Sequence, residues 1–291
     1  MNLLKSKIGV SPFLLSRYFG EKLSNVSITD YKYLPKVRPL SSTSAGKRMI
    51  EILDRETEAY KKWDDVFADT FLKAQEIRIS KPQAKTEPTW INGWFPGLDS
   101  FSLIGMLAKY KPKKYLEVGS GNSTKFARWA IDNFSPKTKL ISIDPFPRAE
   151  IDSICDQIVR YPLEDVDQKY FTELEAGDIL FVDNSHRSFQ NSDVTVFFTE
   201  ILPELNPGVV YGIHDIFIPA DYPPTWESRF YNEQYLLMSY IFGGAAGDKI
   251  IFPTAHITGK FAELLPKTKA FYDQNLPEVD RHGGAFWMVK A

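Results

Sequence analysis

The sequence has little of what marks several classes of protein. It has 291 residues but a single cysteine, Cys155, which excludes an internal disulfide and a cysteine-based metal site. Its formal net charge of −2 gives no overall attraction to nucleic acid. The best apolar run, residues 234–247, is 14 residues long, whereas a bilayer span needs ~20. These features predict a cytoplasmic globular protein that binds no nucleic acid and has no transmembrane segment.

The first third of the chain differs in charge from the rest. Residues 1–50 carry nine Lys or Arg and two acids, so we expect a basic arm that is solvated or that contacts an acidic surface or anionic lipid. Residues 46–78 follow with apolar side chains spaced three or four apart, which predicts one long amphipathic helix. We interpret residues 1–90 as this arm and helix. The apolar face is expected to pack on the main domain or on a second subunit, and it contains Trp63, Phe67, Phe71 and Ala74.

Residues 91–291 alternate short apolar runs with helical stretches. This alternation is typical of an α/β domain with a parallel sheet. Seven strands are predicted, at 115–119, 139–144, 156–161, 178–183, 208–214, 249–253 and 285–290.

The segment "YLEVGSGNSTKFARWA", residues 115–130, places two glycines where a strand turns into a helix. Such a turn lets a ligand approach the backbone and the N–H groups at the helix start. The dinucleotide fingerprint G-x-G-x-x-G needs a third glycine, but Thr124 occupies that position. Glu117 precedes the glycines and would repel a pyrophosphate while attracting an amine. The turn therefore favours a cationic ligand over a nicotinamide or flavin cofactor.

The motifs "LEVGSGNST" and "ISIDPFP", continued by "LEDV", "DILFVDNSH" and "GIHDIF", resemble the class I S-adenosylmethionine-dependent methyltransferases. The resemblance covers residues 92–291 and implies a Rossmann-like, mostly parallel sheet whose last strand is antiparallel. It implies S-adenosylmethionine as cofactor. The methionine part would be held by Glu117, Gly119, Gly121 and Asn122, the ribose by Asp144 and the adenine by Glu164.

Other interpretations of these acids remain open. Glu117 could be a solvated charge at a strand end, and Asp144 and Glu164 could cap the helices that follow them. If Glu117 and Asp144 serve the ligand, their replacement should weaken cofactor binding and leave thermal unfolding of the cofactor-free protein nearly unchanged.

Two polar clusters, "VDNSH" and "IHDIF", follow the fourth and fifth predicted strands. Neighbouring parallel strands end at one edge of a sheet, so Asp183, His186 and Asp215 are predicted to meet at the methyl acceptor. His186 or His214 would be the general base, since an ordinary histidine pKa is near ~6.5. His186 and Asp215 also have simpler interpretations. His186 could be a histidine that only bonds within its loop, and Asp215 could have a turn or cap role.

The same positions are similar to those of metal-dependent small-molecule O-methyltransferases and of the cephalosporin hydroxylase-like branch, which includes macrolide-sugar methyltransferases. That similarity implies a divalent ion, Mg²⁺ or Mn²⁺, held by Asp183, His214 and Asp215. His214 stands where an acid is usual, and Mg²⁺ prefers oxygen ligands.

An aromatic segment after the fifth strand, residues 218–237, is expected to bind the acceptor or to form the interface of a homo-oligomer. The predicted function is O-methylation of a sugar or small hydroxylated metabolite. An NAD(P)-dependent oxidoreductase and a catalytically silent cofactor-binding scaffold are the alternatives. The predicted acceptor-binding residues are Tyr222, Trp226, Arg229 and Tyr231.

Overall fold

The computed structural model describes residues 35–291. Residues Arg38–Ala291 form one compact unit, which contains the whole sheet. Residues 1–34 of the predicted basic arm lie outside the described residues, so the arm stays a prediction.

The described residues alternate helices and strands along most of their length. The helices are α1 (Ser44–Asp54), α2 (Thr57–Ala68), α3 (Phe71–Ala74), α4 (Gly97–Tyr110), α5 (Asn122–Phe134), α6 (Lys169–Thr172), α7 (Asp193–Val196, continued by a π-helical turn at Phe197–Ile201 and by Leu202–Glu204), α8 (Glu233–Phe242), α9 (Thr254–Thr258), α10 (Phe261–Leu264) and α11 (Pro266–Asn275). The strands are β1 (Lys114–Val118), β2 (Lys139–Ile143), β3 (Gln157–Val159), β4 (Ile179–Val182), β5 (Val210–Ile213), β6 (Lys249–Pro253) and β7 (Phe286–Val289).

The seven strands form one sheet in the order β3-β2-β1-β4-β5-β7-β6. Strands β1 to β5 pair in parallel, and β7 runs antiparallel to both β5 and β6. The predicted Rossmann-like sheet with an antiparallel last strand is thereby confirmed. The strand order reverses between β1 and β4, and the crevice outside the carboxyl ends of the strands at such a point is where open α/β sheets bind ligands.

Both faces of the sheet are covered by helices, as the strand sequences require. In β1, Tyr115 and Leu116 are both fully buried but belong to different cores, because successive side chains of a strand point to opposite faces. Trp63 and Phe67 of α2 pack in the first core, and Met49 of α1 packs in the second. Burial on both faces explains why the central strands contain almost only apolar residues.

The prediction of a single long helix at residues 46–78 is wrong. The structure has three separate helices there, α1, α2 and α3. Each break has a threonine whose hydroxyl donates to the carbonyl oxygen three residues earlier, Thr57 to Asp54 and Thr70 to Phe67, both at 2.7 Å. Such local side-chain bonds compete with the helical backbone pattern. The apolar spacing was correct, but three short helices present it to the core.

None of the helices within residues 35–291 is both long enough and apolar enough to cross a lipid bilayer.

Candidate functional site

The turn after β1 is held tightly against the turn after β4. Gly119 has a φ of +76°, and a Cβ at this position would lie 1.8 Å from the carbonyl oxygen of Asp183. Only glycine fits both the backbone conformation and the contact. Gly121 has an extended backbone, and a Cβ there would meet nothing within 4 Å. The first glycine therefore serves the fold, whereas the second borders open space at the start of α5.

Glu117 lies inside the protein. Its side chain is fully buried, and its carboxylate accepts hydrogen bonds from the Thr124 hydroxyl and, at 3.1 Å, from the Tyr115 hydroxyl. Burial raises the pKa of Glu117 to about 7. The hydrogen bonds that Ser123, Thr124 and Tyr115 donate to the carboxylate lower the pKa, but burial has the larger effect. Thr124 in turn accepts from the Gly121 N–H at 2.9 Å, so Glu117 braces the turn from within.

This burial changes what loss of Glu117 should do. The sequence led us to expect nearly unchanged unfolding of the cofactor-free protein, but a fully buried carboxyl with two hydroxyl partners contributes to stability directly. Thr124, which breaks the dinucleotide fingerprint, has a structural reason to be there because it links Glu117 to the turn.

Asp144 follows β2 at the same edge of the sheet. One carboxylate oxygen accepts from the Ser120 N–H at 2.7 Å and the other from the Phe146 N–H at 2.8 Å. Two backbone donors thus fix the carboxylate beside the glycine turn. Each oxygen keeps acceptor capacity for a further donor, such as a hydroxyl.

The loop before α4 reaches the same turn. The Asn122 amide donates to the side-chain oxygen of Asn92 at 3.1 Å, and Asn92 also accepts from the Phe95 N–H at 2.8 Å. Glu164 lies in an exposed 3₁₀ turn, Leu163–Asp165, and the described contacts do not tie it to the glycine turn. Its role stays a prediction.

Four side chains from the ends of β4 and β5 form a charged cluster. His186 Nε2 lies 3.2 Å from Asp183 Oδ1 and 3.4 Å from Asp215 Oδ2, and His214 Nδ1 lies 3.3 Å from Asp183 Oδ1. His186 and Asp215 adopt φ values of +59° and +56°, which are uncommon for residues other than glycine. The turns after β4 and β5 thus direct these side chains to one point.

The cluster shifts the protonation of its members. Burial alone would lower the pKa of both histidines, but Asp183, Asp215 and their other carboxylate partners raise it well above its usual value. The same ion pairs outweigh burial at Asp183 and lower its pKa, whereas burial raises the pKa of Asp215. The sequence argument from an unperturbed histidine pKa therefore does not apply.

The atoms that converge closely enough to hold a metal ion belong to Asp183, His186 and Asp215, whose donor atoms all lie within 4.8 Å of one another. This set differs from the predicted one, because His186 takes the place of His214. His214 has its Nε2 3.1 Å from Asp99, whereas its Nδ1 lies 3.3 Å from Asp183 Oδ1 and 3.6 Å from Asp215 Oδ1.

Two carboxylates that sequence analysis did not assign complete the cluster. Glu233, at the start of α8, accepts at 2.9 Å from His186 Nδ1, and Asp99, in the first turn of α4, faces His214 Nε2. Both are fully buried. Each lies far along the chain from its histidine, and no motif marks either. The available sequence signal for both residues was an acid in the first turn of a helix. An acid at that position also interacts favourably with the helix dipole, so the signal does not distinguish the two roles.

The predicted acceptor residues lie together beside the cluster. The centroid of the Tyr231 ring lies 4.7 Å from the centroid of the His186 imidazole and 5.6 Å from the centroid of the Trp226 ring. The Arg229 guanidinium lies over Trp226, 4.0 Å from its centroid. Tyr222 is buried, and its ring lies 5.9 Å from Tyr231.

Comparison with known proteins found one family model and several similar solved structures. The family model described as a methyltransferase domain matches residues 116–216. The structure is similar to that of the SAH-bound Podospora anserina methyltransferase PaMTH1, with 14% identity, coverage of 83% of this chain and 96% of that chain, and a TM-score of 0.41. It is similar to the plantazolicin methyltransferase BpumL in complex with SAH, with 13% identity, coverage of 84% and 98%, and a TM-score of 0.41.

A third similar structure is MycE from the mycinamycin biosynthetic pathway, in complex with Mg, SAH and mycinamycin VI. It shares 20% identity over 38% of this chain and 30% of that chain, with a TM-score of 0.27. No curated protein matches the sequence.

The family match begins within β1 and ends just beyond β5, so it includes the glycine turn, Asp144 and the charged cluster. The strand order adds the antiparallel β7 between β5 and β6. The motifs predicted a class I S-adenosylmethionine-dependent methyltransferase, and the family model that matches this part of the chain describes a methyltransferase domain.

Proposed function

We propose that the protein transfers the methyl group of S-adenosylmethionine to a hydroxyl oxygen of a small metabolite, with a sugar hydroxyl as the favoured acceptor. The observation that carries this proposal is the convergence of Asp183, His186 and Asp215 beside the glycine turn. Asp183 and Asp215 keep 32% and 16% of their side chains exposed, so an acceptor can reach them from outside. His186, which is buried, lies beneath the two aspartates at the place where the three side chains converge.

The cofactor would lie along the edge formed by the turns after β1 and β2. Gly121 borders open space there, and the Asp144 carboxylate has acceptor capacity for ribose hydroxyls. Asn122 is fixed by Asn92 near the methionine end. Glu117 supports this edge from inside the protein and contributes a negative charge when ionised.

Asp183, His186 and Asp215 fit a divalent cation. The cluster with Asp99 and Glu233 contains four carboxylates and two histidines, so it is negative with both imidazoles protonated when all four carboxylates are ionised. A set of two carboxylates and one imidazole suits Mn²⁺ or another first-row ion better than Mg²⁺, which prefers oxygen. When bound, such an ion would supply Lewis-acid activation of the acceptor hydroxyl.

The residues of the chain would then position the acceptor and take its proton. In the reaction the acceptor oxygen forms a bond to the methyl carbon as the carbon–sulfur bond breaks, and the hydroxyl proton leaves. One of the two partly exposed aspartates, Asp183 or Asp215, would accept that proton. Proximity of the acceptor to the methyl group supplies much of the rate.

The aromatic side chains Tyr222, Trp226 and Tyr231, with Arg229, would bind the body of the acceptor. Flat rings with a guanidinium suit the apolar face of a sugar or another ring. If the segment is instead the interface of a homo-oligomer, Trp226→Ala should change the sedimentation coefficient and leave the KM for every acceptor unchanged.

The central experiment measures transfer of a labelled methyl group to a panel of sugars and hydroxylated metabolites, with and without chelator and added Mn²⁺. We expect turnover that chelation abolishes and Mn²⁺ restores. Asp183→Asn and Asp215→Asn should each lower turnover by roughly 10²–10⁴-fold. Their affinity for S-adenosylhomocysteine should stay within about threefold of the parent, and Asp165→Asn, at an exposed acid, is the matched control.

Other outcomes identify the competing functions. Binding of S-adenosylhomocysteine without turnover of any acceptor supports a catalytically silent scaffold. Binding of NADH in preference to S-adenosylhomocysteine would contradict the cofactor assignment. The cytoplasmic location stays a prediction.

A further inference from the structure

The segment that follows the aromatic residues is fastened to the segment that carries His186. The Asn232 N–H donates to the His186 carbonyl oxygen at 2.9 Å, and the Ser188 N–H donates to the Asn232 side chain at 2.7 Å. The Arg187 guanidinium donates to the Arg229 carbonyl oxygen at 2.7 Å. These contacts fix where α8 begins relative to His186.

The first residue of α8, Glu233, uses that fixed position to contact the imidazole. Its Oε2 accepts from His186 Nδ1 at 2.9 Å, and its Oε1 accepts from the Asn184 amide at 3.1 Å. The side chain is fully buried, so water does not compete for these bonds. A carboxylate with each oxygen held in this way has one orientation available.

The geometry of the imidazole follows from this contact. A carboxylate next to Nδ1 requires that this nitrogen carries its proton. The ring then directs Nε2 towards Asp183 and Asp215, at 3.2 and 3.4 Å. Without Glu233, the ring could rotate or change tautomer, and Nε2 would no longer be fixed at the point where the donor atoms converge.

We propose that Glu233 is a positioning residue of the methyl-transfer site, which sets the tautomer and orientation of His186 and thereby joins the acceptor-binding segment to the reacting centre. This inference rests on the proposed function of the Asp183, His186 and Asp215 group. It concerns a side chain that does not itself touch the acceptor. Partners that orient a functional imidazole typically contribute 10–100-fold to activity or affinity.

Two variants separate orientation from charge. Glu233→Ala removes both the acceptor atom and the charge, whereas Glu233→Gln keeps a carbonyl oxygen that accepts from Nδ1–H. We expect Glu233→Ala to lower kcat about 10–100-fold with the affinity for S-adenosylhomocysteine within about twofold of the parent. Glu233→Gln should recover most of that loss, because orientation is restored without the charge.

Asp248 provides the matched control for burial. It is a buried carboxylate that accepts from the Tyr211 and Tyr240 hydroxyls at 2.7 and 2.8 Å, and none of its described contacts reaches His186. Asp248→Asn should lower thermal stability as Glu233→Ala does, but it should leave kcat unchanged. A purely structural role for Glu233 predicts the same behaviour for both variants.

A second measurement is independent of turnover. The chain has four histidines, so a protein labelled with ¹⁵N-histidine gives few ring signals. Glu233→Ala should move the ring-nitrogen resonances of His186 and leave those of His256 and His282, whose carboxylate partners are Asp54 and Asp280, in place.

Failure of the inference about Glu233 can be distinguished from failure of the proposed function. If the parent methylates no acceptor, the proposed function fails, and the ¹⁵N spectra still test the contact. Unmoved His186 resonances in Glu233→Ala would overturn the inference. So would a Glu233→Gln variant no more active than Glu233→Ala, or a loss of kcat that is accompanied by equal loss of cofactor affinity.

Discussion

Replacement of Glu117 by glutamine should remove a large part of the pH dependence of stability. The pKa of Glu117 rises from 4.5 in its ordinary state to about 7 in the folded protein. The folded state therefore binds this proton more tightly than the unfolded chain does. Below pH 4.5 both states are protonated and the group costs nothing, and the cost grows as pH rises through 7.

The magnitude follows from the shift. At ~1.4 kcal/mol per pKa unit, ionising the buried carboxyl lowers the free energy of unfolding by about 3 kcal/mol above neutral pH. Glu117→Gln is neutral throughout but satisfies the Thr124 and Tyr115 hydroxyls less well, which costs ~1 kcal/mol at every pH. We expect Glu117→Gln to be about 2 kcal/mol more stable than the cofactor-free parent at pH 8 and slightly less stable at pH 5.

Urea unfolding of the cofactor-free protein at pH 5, 6, 7 and 8 measures this difference. Glu164→Gln, at an exposed acid, is the control and should follow the parent at every pH. The reasoning is refuted if Glu117→Gln and the parent lose stability equally between pH 5 and pH 8, because the carboxyl would then ionise in the folded protein as it does in the unfolded chain.

Three further outcomes are expected. Asp144→Asn should weaken binding of S-adenosylhomocysteine about 10–100-fold by calorimetry, since one charge-assisted hydrogen bond contributes ~1.5–3 kcal/mol; unchanged affinity would contradict a role in cofactor binding. Gly119→Ala should not give folded protein, because its Cβ would overlap the Asp183 carbonyl oxygen, whereas Gly121→Ala should melt like the parent by circular dichroism. Trp226→Ala should raise the KM for the acceptor at least tenfold and leave cofactor affinity unchanged, and an unchanged KM would exclude acceptor contact.

Gly119 and Gly121 have different structural roles that the sequence pattern did not distinguish. The spacing correctly placed both at a strand-to-helix turn, but it did not show that Gly119 is required by the carbonyl of Asp183 while Gly121 faces open space. The difference depends on how the turn after β4 packs against the turn after β1. Residues 64 positions apart in sequence make that contact, and local spacing carries no information about it.

The first of the two breaks in the predicted long helix involves distant residues in addition to the local bond of Thr57. The apolar periodicity of residues 46–78 continues across both breaks, so periodicity alone predicts one helix. The structure ends α1 at Asp54, whose carboxylate accepts at 2.8 Å from His256 Nε2 and also bonds Lys260. His256 lies in α9 and Lys260 just beyond it, about two hundred residues away, so the local periodicity carries no information about these contacts.

The sequence by itself determined the alternation of strands and helices, the position of the glycine turn and the match to a methyltransferase domain, because each depends on residues close together in the chain. It also placed Asp183, His186 and Asp215 at the ends of neighbouring strands, since parallel strands end at one edge. Only the tertiary structure decided that Glu117 is buried, that both His186 and His214 lie beside the two aspartates, and that Glu233 and Asp99 hold the two imidazoles. Burial, pKa and imidazole orientation depend on atoms brought together from distant segments, and no local pattern in the sequence specifies them.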